Sequence, residues 1–217
     1  MPVTLYNQYG SPPCGFVRMV ARHVGVSLEL RNLDMFNGDH LTAEYLKVNP
    51  YHKAPTIDDD GFIIYESSAI AYYLINKYAP SSALYPSCPK LRAQVDQVLA
   101  TVTSTIQPHY FAFFKPRFFD LKKPTPEEIA AFEENVLGNL NRHIGKHRSY
   151  AVGDCLTLAD LSLLAHLSLC LELPVLRSNK FPDLQVYYDR VKSEVPYFDE
   201  INQHGIEMLN ERIKGLK

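Results

Sequence analysis

Residues 9–26 read YGSPPCGFVRMVARHVGV. They describe a loop that breaks into a helix. Pro12 and Pro13 suit a first helical turn, where their missing N–H would be unpaired anyway. Phe16, Val17, Val20, Ala21 and Val24 then recur at helical spacing, and Gly25 supplies a C-terminal stop. A dithiol redox site would open such a helix with C-x-x-C, a cysteine at each end. Here the first position is Ser11 and the second is Cys14. The pattern keeps the layout of a redox helix but puts a hydroxyl where the nucleophilic thiol would stand.

The surrounding residues extend the pattern. Val3–Gln8 reads as a strand, and Ser27–Leu33 alternates as a second. Leu41–Pro50 is a brief helix ended by Asn49-Pro50. APTIDDDGFIIYES, residues 54–67, holds two short apolar runs around Asp60-Gly61, a hairpin signal. Ser68–Tyr78 is a helix. The order β-α-β-α-β-β-α predicts an α/β N-terminal thioredoxin-like domain over residues 1–79. Residues 80–89 are rich in Pro and Ser and read as a linker. From residue 90 to 217 strand signals vanish, which predicts an all-α C-terminal domain of five or so helices. Breaks are expected at Pro124–Pro126, Gly145–Tyr150, Pro174 and Pro196. In GDCLTLADLSLL, residues 153–164, Thr157 and Asp160 form a capping box ahead of an apolar run; this is a structural element without chemistry.

The chain has 217 residues and a formal net charge of -2, with no long run of one sign. This argues against nucleic-acid or membrane-surface partners. Cys14, Cys88, Cys155 and Cys170 are spread too widely for a disulfide scaffold or a zinc pattern, and reduced thiols in a cytoplasmic protein are expected. The first residues show no basic segment followed by an apolar run, so no signal peptide is expected. No histidine pair has metal-ligand spacing with carboxylate company, so no metal is expected.

Four pieces carry a family resemblance: SPPC (11–14), NPYHKAPTI (49–57), DDGFIIYESSAIAYYL (59–74) and GDCLTLADLSLL (153–164). In this order and spacing the chain resembles a cytosolic glutathione transferase, nearest the insect and arthropod delta/epsilon classes. The resemblance implies that the missing thiol arrives with the substrate. Reduced glutathione is then a co-substrate, no other cofactor is needed, and Ser11 donates a hydrogen bond to its thiolate. It implies a cis Pro55 that turns the backbone of Ala54 toward the cysteinyl part of the tripeptide; a plain turn is the alternative. Glu66 and Ser67 stand at a helix entrance that suits the γ-glutamyl end, whether as ligands, as caps, or both. His52 and His40 would face the glycyl carboxylate, and the backbone of Lys53 borders the same site. Tyr6 and Cys14 are the competing candidates for Ser11's role.

QPHYFAFFKPRFF, residues 107–119, is dense in aromatic rings. Tyr110, Phe114 and Phe118 lie at helical spacing and are chosen, with Pro13, as the wall of a hydrophobic substrate pocket, although a core stripe would show the same spacing. The family pattern is broken at Ser68, where delta-class relatives have arginine, and at Val98 and Val102, where they often carry arginine and aspartate. The resemblance implies a homodimer, supported by apolar faces on the third and fourth helices. The expected activity is conjugation of glutathione to small hydrophobic electrophiles in detoxification. The alternatives are glutathione-dependent dehydrochlorination or peroxidase action, and a ligand carrier of the same fold with little turnover.

Overall fold

The computed structural model describes residues 2–145, 149–176 and 180–217. Four strands, β1 (Val3–Asn7), β2 (Leu28–Asn32), β3 (Thr56–Asp59) and β4 (Phe62–Tyr65), form one sheet in the order β2-β1-β3-β4. β1 pairs parallel with β2, and the other two pairings are antiparallel. The parallel pair requires a crossover, supplied by α1 (Pro12–His23). The antiparallel pair β3–β4 turns on Asp60 (φ 56°) and Gly61 (φ 86°). Both are left-handed, as a two-residue type I′ hairpin needs. α2 (Ala43–Val48) and α3 (Ser67–Tyr78) complete this half. The helix expected over Leu41–Pro50 is shorter than its sequence signal, because residues Asp39–Leu41 form a separate 3-10 turn.

Every strand among the described residues lies before residue 66, and the second half of the chain is built from helices. α4 (Pro89–Thr101) runs through a π-helical turn at Val102–Ile106 into α5 (Gln107–Phe118). α6 (Pro126–Phe132) runs through a second π turn at Glu133–Gly138 into α7 (Asn139–Ile144). α8 (Leu158–Leu171), α9 (Pro182–Ser193) and α10 (Phe198–Lys214) complete the helical half. Counted as rods, these are the five expected helices among the described residues, interrupted at the expected places. Positions 146–148 of the expected break at Gly145–Tyr150 lie outside the described residues.

α8 is buried along its whole length from Leu158 to Cys170, as a helix apolar on all sides must be. Its start is fixed by Asp160, whose carboxylate accepts from the N–H and hydroxyl of Thr157, both at 2.9 Å. It also accepts from Ala151 N (2.7 Å) and the Tyr187 hydroxyl (2.8 Å). α1 packs against α3 on one side and α8 on the other, so the helix that starts at Ser11 joins the two halves.

Candidate active site

The sheet register decides where the loops converge. Tyr6 of β1 pairs with Thr56 of β3, and Thr56 pairs with Tyr65 of β4. Ser11 follows β1, Ala54-Pro55 precedes β3, and Glu66-Ser67 follows β4. All three segments therefore leave the sheet at the same end. β2 runs parallel to β1, so its exit loop, which carries His40, emerges there too. Two helix N-termini, those of α1 and α3, open at this end and present partial positive charge.

Ser11 is the N-cap residue of α1, and its side chain makes no capping hydrogen bond. The two prolines that follow have no N–H to cap, so Cys14 N is the first donor of the helix. The peptide Ala54–Pro55 is cis. The loop before it is clamped from below: Lys53 O accepts from the Tyr45 hydroxyl (2.6 Å) and from Asn49 Nδ2 (2.8 Å). Both donors also bond Thr56 Oγ1, at 3.2 and 3.0 Å. Lys53 and His52 project outward and are exposed.

His52 (φ 57°) and Glu66 (φ 69°) are two of four non-glycine residues with left-handed backbone among the described residues. Such strain persists only where surrounding structure holds it, and it concentrates at binding sites. Ser67 and Ser68 are the first two residues of α3, both half-buried. His40 and His52 are near enough to influence each other. Partial burial and the His52 imidazole push His40 below the usual histidine range. The Nδ1 atom of His40 is buried with no protein partner.

The competing candidates sit differently. Cys14 is fully buried, and burial pushes its thiol up to about 11, against hydrogen bonds from the Ser11 hydroxyl and the Gln8 N–H. A thiol so placed stays protonated and is not the nucleophile. Tyr6 accepts from Arg31 Nη1 (3.3 Å) and packs on Tyr45.

The aromatic stripe chosen for the pocket is buried. Tyr110, Phe114 and Phe118 are 6, 4 and 8% exposed and belong to the core. The Tyr110 hydroxyl donates to His166 O, and Phe114 stacks on Phe118 and meets Phe132 edge-on. The neighbouring face of α5 stays open instead: Phe111 is 62% exposed, and Phe119, just past the helix, is 43% exposed. Phe119 packs on Phe36 of the β2 exit loop at 5.0 Å between centroids. Pro13 is half-buried at the start of α1. Val98 and Val102 are buried in the core and offer no charge to the site. Among the described residues, no group of His, Cys, Asp and Glu could hold a metal ion, and no helix is long and apolar enough to cross a membrane.

Comparison with known proteins identifies the family. Residues 5–82 match the family model for the glutathione S-transferase N-terminal domain, and residues 111–195 match the C-terminal domain. A glutathione transferase from Bombyx mori is 34% identical, with a TM-score of 0.89 and 98% of each chain covered. A delta-class glutathione transferase from Nilaparvata lugens is 32% identical at a TM-score of 0.89, covering all of both chains. An epsilon-class glutathione S-transferase from the housefly Musca domestica is 30% identical at 0.87, covering 98% of this chain and 97% of that one. On family models, sequence identity and fold alike, the chain belongs to the glutathione transferase family and is similar to its insect delta and epsilon members.

Proposed function

We propose that this transferase joins the sulfur of reduced glutathione to small hydrophobic electrophiles, in a detoxifying role. Residues 1–79 hold the tripeptide and residues 90–217 supply the apolar wall. The thiol gives its proton to solvent, the thiolate attacks an electrophilic carbon, a C–S bond forms, and the leaving group departs with its electron pair. Glutathione is a co-substrate, and no other cofactor enters the reaction.

The observation that carries this reading is the convergence of Ser11, Ala54-Pro55 and Glu66-Ser67 at one end of the sheet, set by the Tyr6–Thr56–Tyr65 register. In this reading the Ser11 hydroxyl turns from Cys14 toward the incoming sulfur. The backbone of Ala54 pairs with the cysteinyl unit, Glu66 meets the γ-glutamyl amine, and Ser67 and Ser68 at the start of α3 take its carboxylate. His52, His40 and Lys53 border the glycyl carboxylate. A free thiol near pKa 8.5 is only about 3% thiolate at pH 7, and lowering it by about two units needs roughly 2.7 kcal/mol. One charge-assisted hydrogen bond plus a helix terminus is of that size. The electrophile rests on Pro13 and the open aromatics Phe36, Phe111 and Phe119.

The unit in the cytoplasm is a homodimer, without nucleic-acid or membrane partners. Support for the dimer lies on β4 and the end of the third helix: Phe62 and Ile63 are 50 and 42% exposed, and Tyr78 of α3 is also open, as is Tyr51. A second reading, a carrier with little turnover, is favoured by the apolar Val98 and Val102 and by Ser68. Turnover with glutathione and an aryl halide, beside retention on a glutathione matrix, separates the two. Ser11→Ala should lower turnover about 10- to 1,000-fold and leave retention intact. Unchanged turnover would remove Ser11 from this role, and retention without turnover in the parent would favour the carrier.

A further inference from the structure

We infer that the C-terminal helix is a positioning element for the Ser11 loop, acting through a backbone contact between Gly205 and Gly10. The inference rests on the role proposed above for Ser11.

Gly205 lies in the middle of α10, where glycine costs about 1 kcal/mol relative to alanine. A residue kept there against helix propensity needs a packing reason. A β-carbon at Gly205 would lie 2.8 Å from Gly10 Cα and closer still to Gly10 N, with Tyr9 C at 3.3 Å. No real side chain fits, so the backbone of α10 itself bears on the loop.

The contact is reciprocal. Gly10 has φ 76° and occupies the third position of the turn Gln8–Ser11, closed by Ser11 N donating to Gln8 O (3.3 Å). A β-carbon on Gly10 would meet Leu209 Cδ1 at 2.6 Å. Further contacts flank this point. Asn202 packs against Gly15 in the first turn of α1, Arg18 Nη1 donates to Ile201 O (2.7 Å), and Tyr9 stacks edge-on to His204. A small cavity behind Ser11 is closed by Ser168 of α8 and Asn202 of α10.

The consequence is one of leverage. The turn holds Ser11 on one side and α10 on the other, and at Gly205 backbone meets backbone, with no side chain at that point to absorb a shift. Adding one methyl group at position 205 must push the Gly10 backbone away, and Ser11 is the next residue. α10 packs chiefly on α1, α5 and α8, whereas the segments proposed to hold the rest of glutathione, at 52–55 and 66–68, flank β3 and α3. A displaced Ser11 should therefore harm the ionisation of the sulfur while leaving capture of the tripeptide nearly unchanged. A misplacement of about 1 Å at a reacting group can cost on the order of 100-fold in rate.

The test is Gly205→Ala in the full chain, assayed with glutathione and an aryl halide across pH. Far-UV circular dichroism and the unfolding midpoint check that the variant is folded. The expected result is a fall of about 10- to 100-fold in kcat/KM for the electrophile, with KM for glutathione within about 3-fold of the parent. The apparent pKa in the pH profile should rise toward that of the free thiol. A folded variant with the parent's rate and pH profile overturns the inference, as does a loss carried entirely by KM for glutathione. If Gly205→Ala does not fold, Leu209→Val loosens the same contact more gently and should show the same split on a smaller scale; a parent-like pH profile there overturns it. Ser11→Ala is measured in parallel. Normal turnover in that variant defeats the Ser11 reading, whereas loss in Ser11→Ala with none in Gly205→Ala defeats only the role of α10.

Discussion

Asp59 lies in the α/β half and Asp160 in the helical half; both side chains are shielded from water, and they titrate in opposite directions. Asp59 is burdened by burial, yet its carboxylate accepts from Lys77 Nζ (2.7 Å) and the Tyr78 (2.6 Å) and Tyr73 (2.8 Å) hydroxyls, which together hold it below the usual carboxylate range. Asp160 is fully buried, and its four hydrogen bonds come only from neutral donors. Burial wins there, and the carboxyl is pushed up. The same division holds for other groups of the helical half. Burial drives His166 down to about 4 and the Cys170 thiol up to about 12. The α/β half keeps its charges at its margin with cations or water beside them. The polar atoms around α8 are dry and close to neutral, whereas the buried charges elsewhere in the helical half, Arg117 and Glu133, are paired with Glu128 and Lys180.

The hardest blow to this contrast would come from Asp160→Ala. It strands the Ala151 and Thr157 N–H groups and the Thr157 and Tyr187 hydroxyls in a dry interior, so about 3–5 kcal/mol of stability should be lost. Asp59→Ala should cost about 1 kcal/mol, because Tyr73, Lys77 and Tyr78 can turn to water. Equal shifts in the urea midpoint for the two variants would break the comparison.

The next effect concerns pH. His166 is neutral, its Nδ1 hydrogen-bonded to Ser162 O (2.8 Å) and its Nε2 buried without a partner. Its folded value of about 4 lies below the ordinary 6.5. The unfolded chain therefore takes up the proton first as pH falls. The stability held by neutral His166 is complete above pH 6.5 and is lost progressively between 6.5 and about 4, up to about 3 kcal/mol. Unfolding free energies for the parent and His166→Leu, measured over that window, should converge as pH falls. Parallel curves would show that this imidazole does not carry the slope.

The smallest effect sharpens the other side. The open end of the sheet should accept a new charge where the helical core would not. Ser68→Arg places a guanidinium beside the proposed γ-glutamyl site, where it can pair bidentately with a carboxylate. The gain should be about 0.5–1.5 kcal/mol, or roughly 2- to 12-fold in KM for glutathione, shrinking at high salt. Titration calorimetry at two salt concentrations reads it. Equal affinities would mean that position 68 is indifferent to charge.

Much of the α/β half was legible in the chain because its signals are local. The Asp60-Gly61 hairpin and the Pro12-Pro13 helix start each lie within a few residues, as does the Thr157–Asp160 box in the helical half. Once the strand order is known, the convergence of Ser11, Ala54-Pro55 and Glu66-Ser67 comes from strand direction. The aromatic stripe was ambiguous for a different reason. Tyr110–Phe114–Phe118 and Phe111–Lys115–Phe119 both recur every four residues, so spacing cannot say which faces inward. The unbroken aromatic row is what a core requires, and the row interrupted by Lys115 is the one that meets solvent. The clamp of Tyr45, Asn49 and Thr56 under Lys53 had only the Asn49-Pro50 helix stop as a trace. Gly205 had no local signal at all, because its partner lies at the other end of the chain.

The meeting of Gly10 and Gly205 also sets an order in time. Their codons are on the order of 200 residues apart, and at about 5–20 residues per second roughly 10–40 s pass between their syntheses. During that interval the nascent chain can complete its sheet and its hairpin. The turn that presents Ser11 meanwhile lacks its contact with α10. A ribosome that stalls before α10 would release a chain with every proposed glutathione contact encoded, but without the helix inferred to place Ser11.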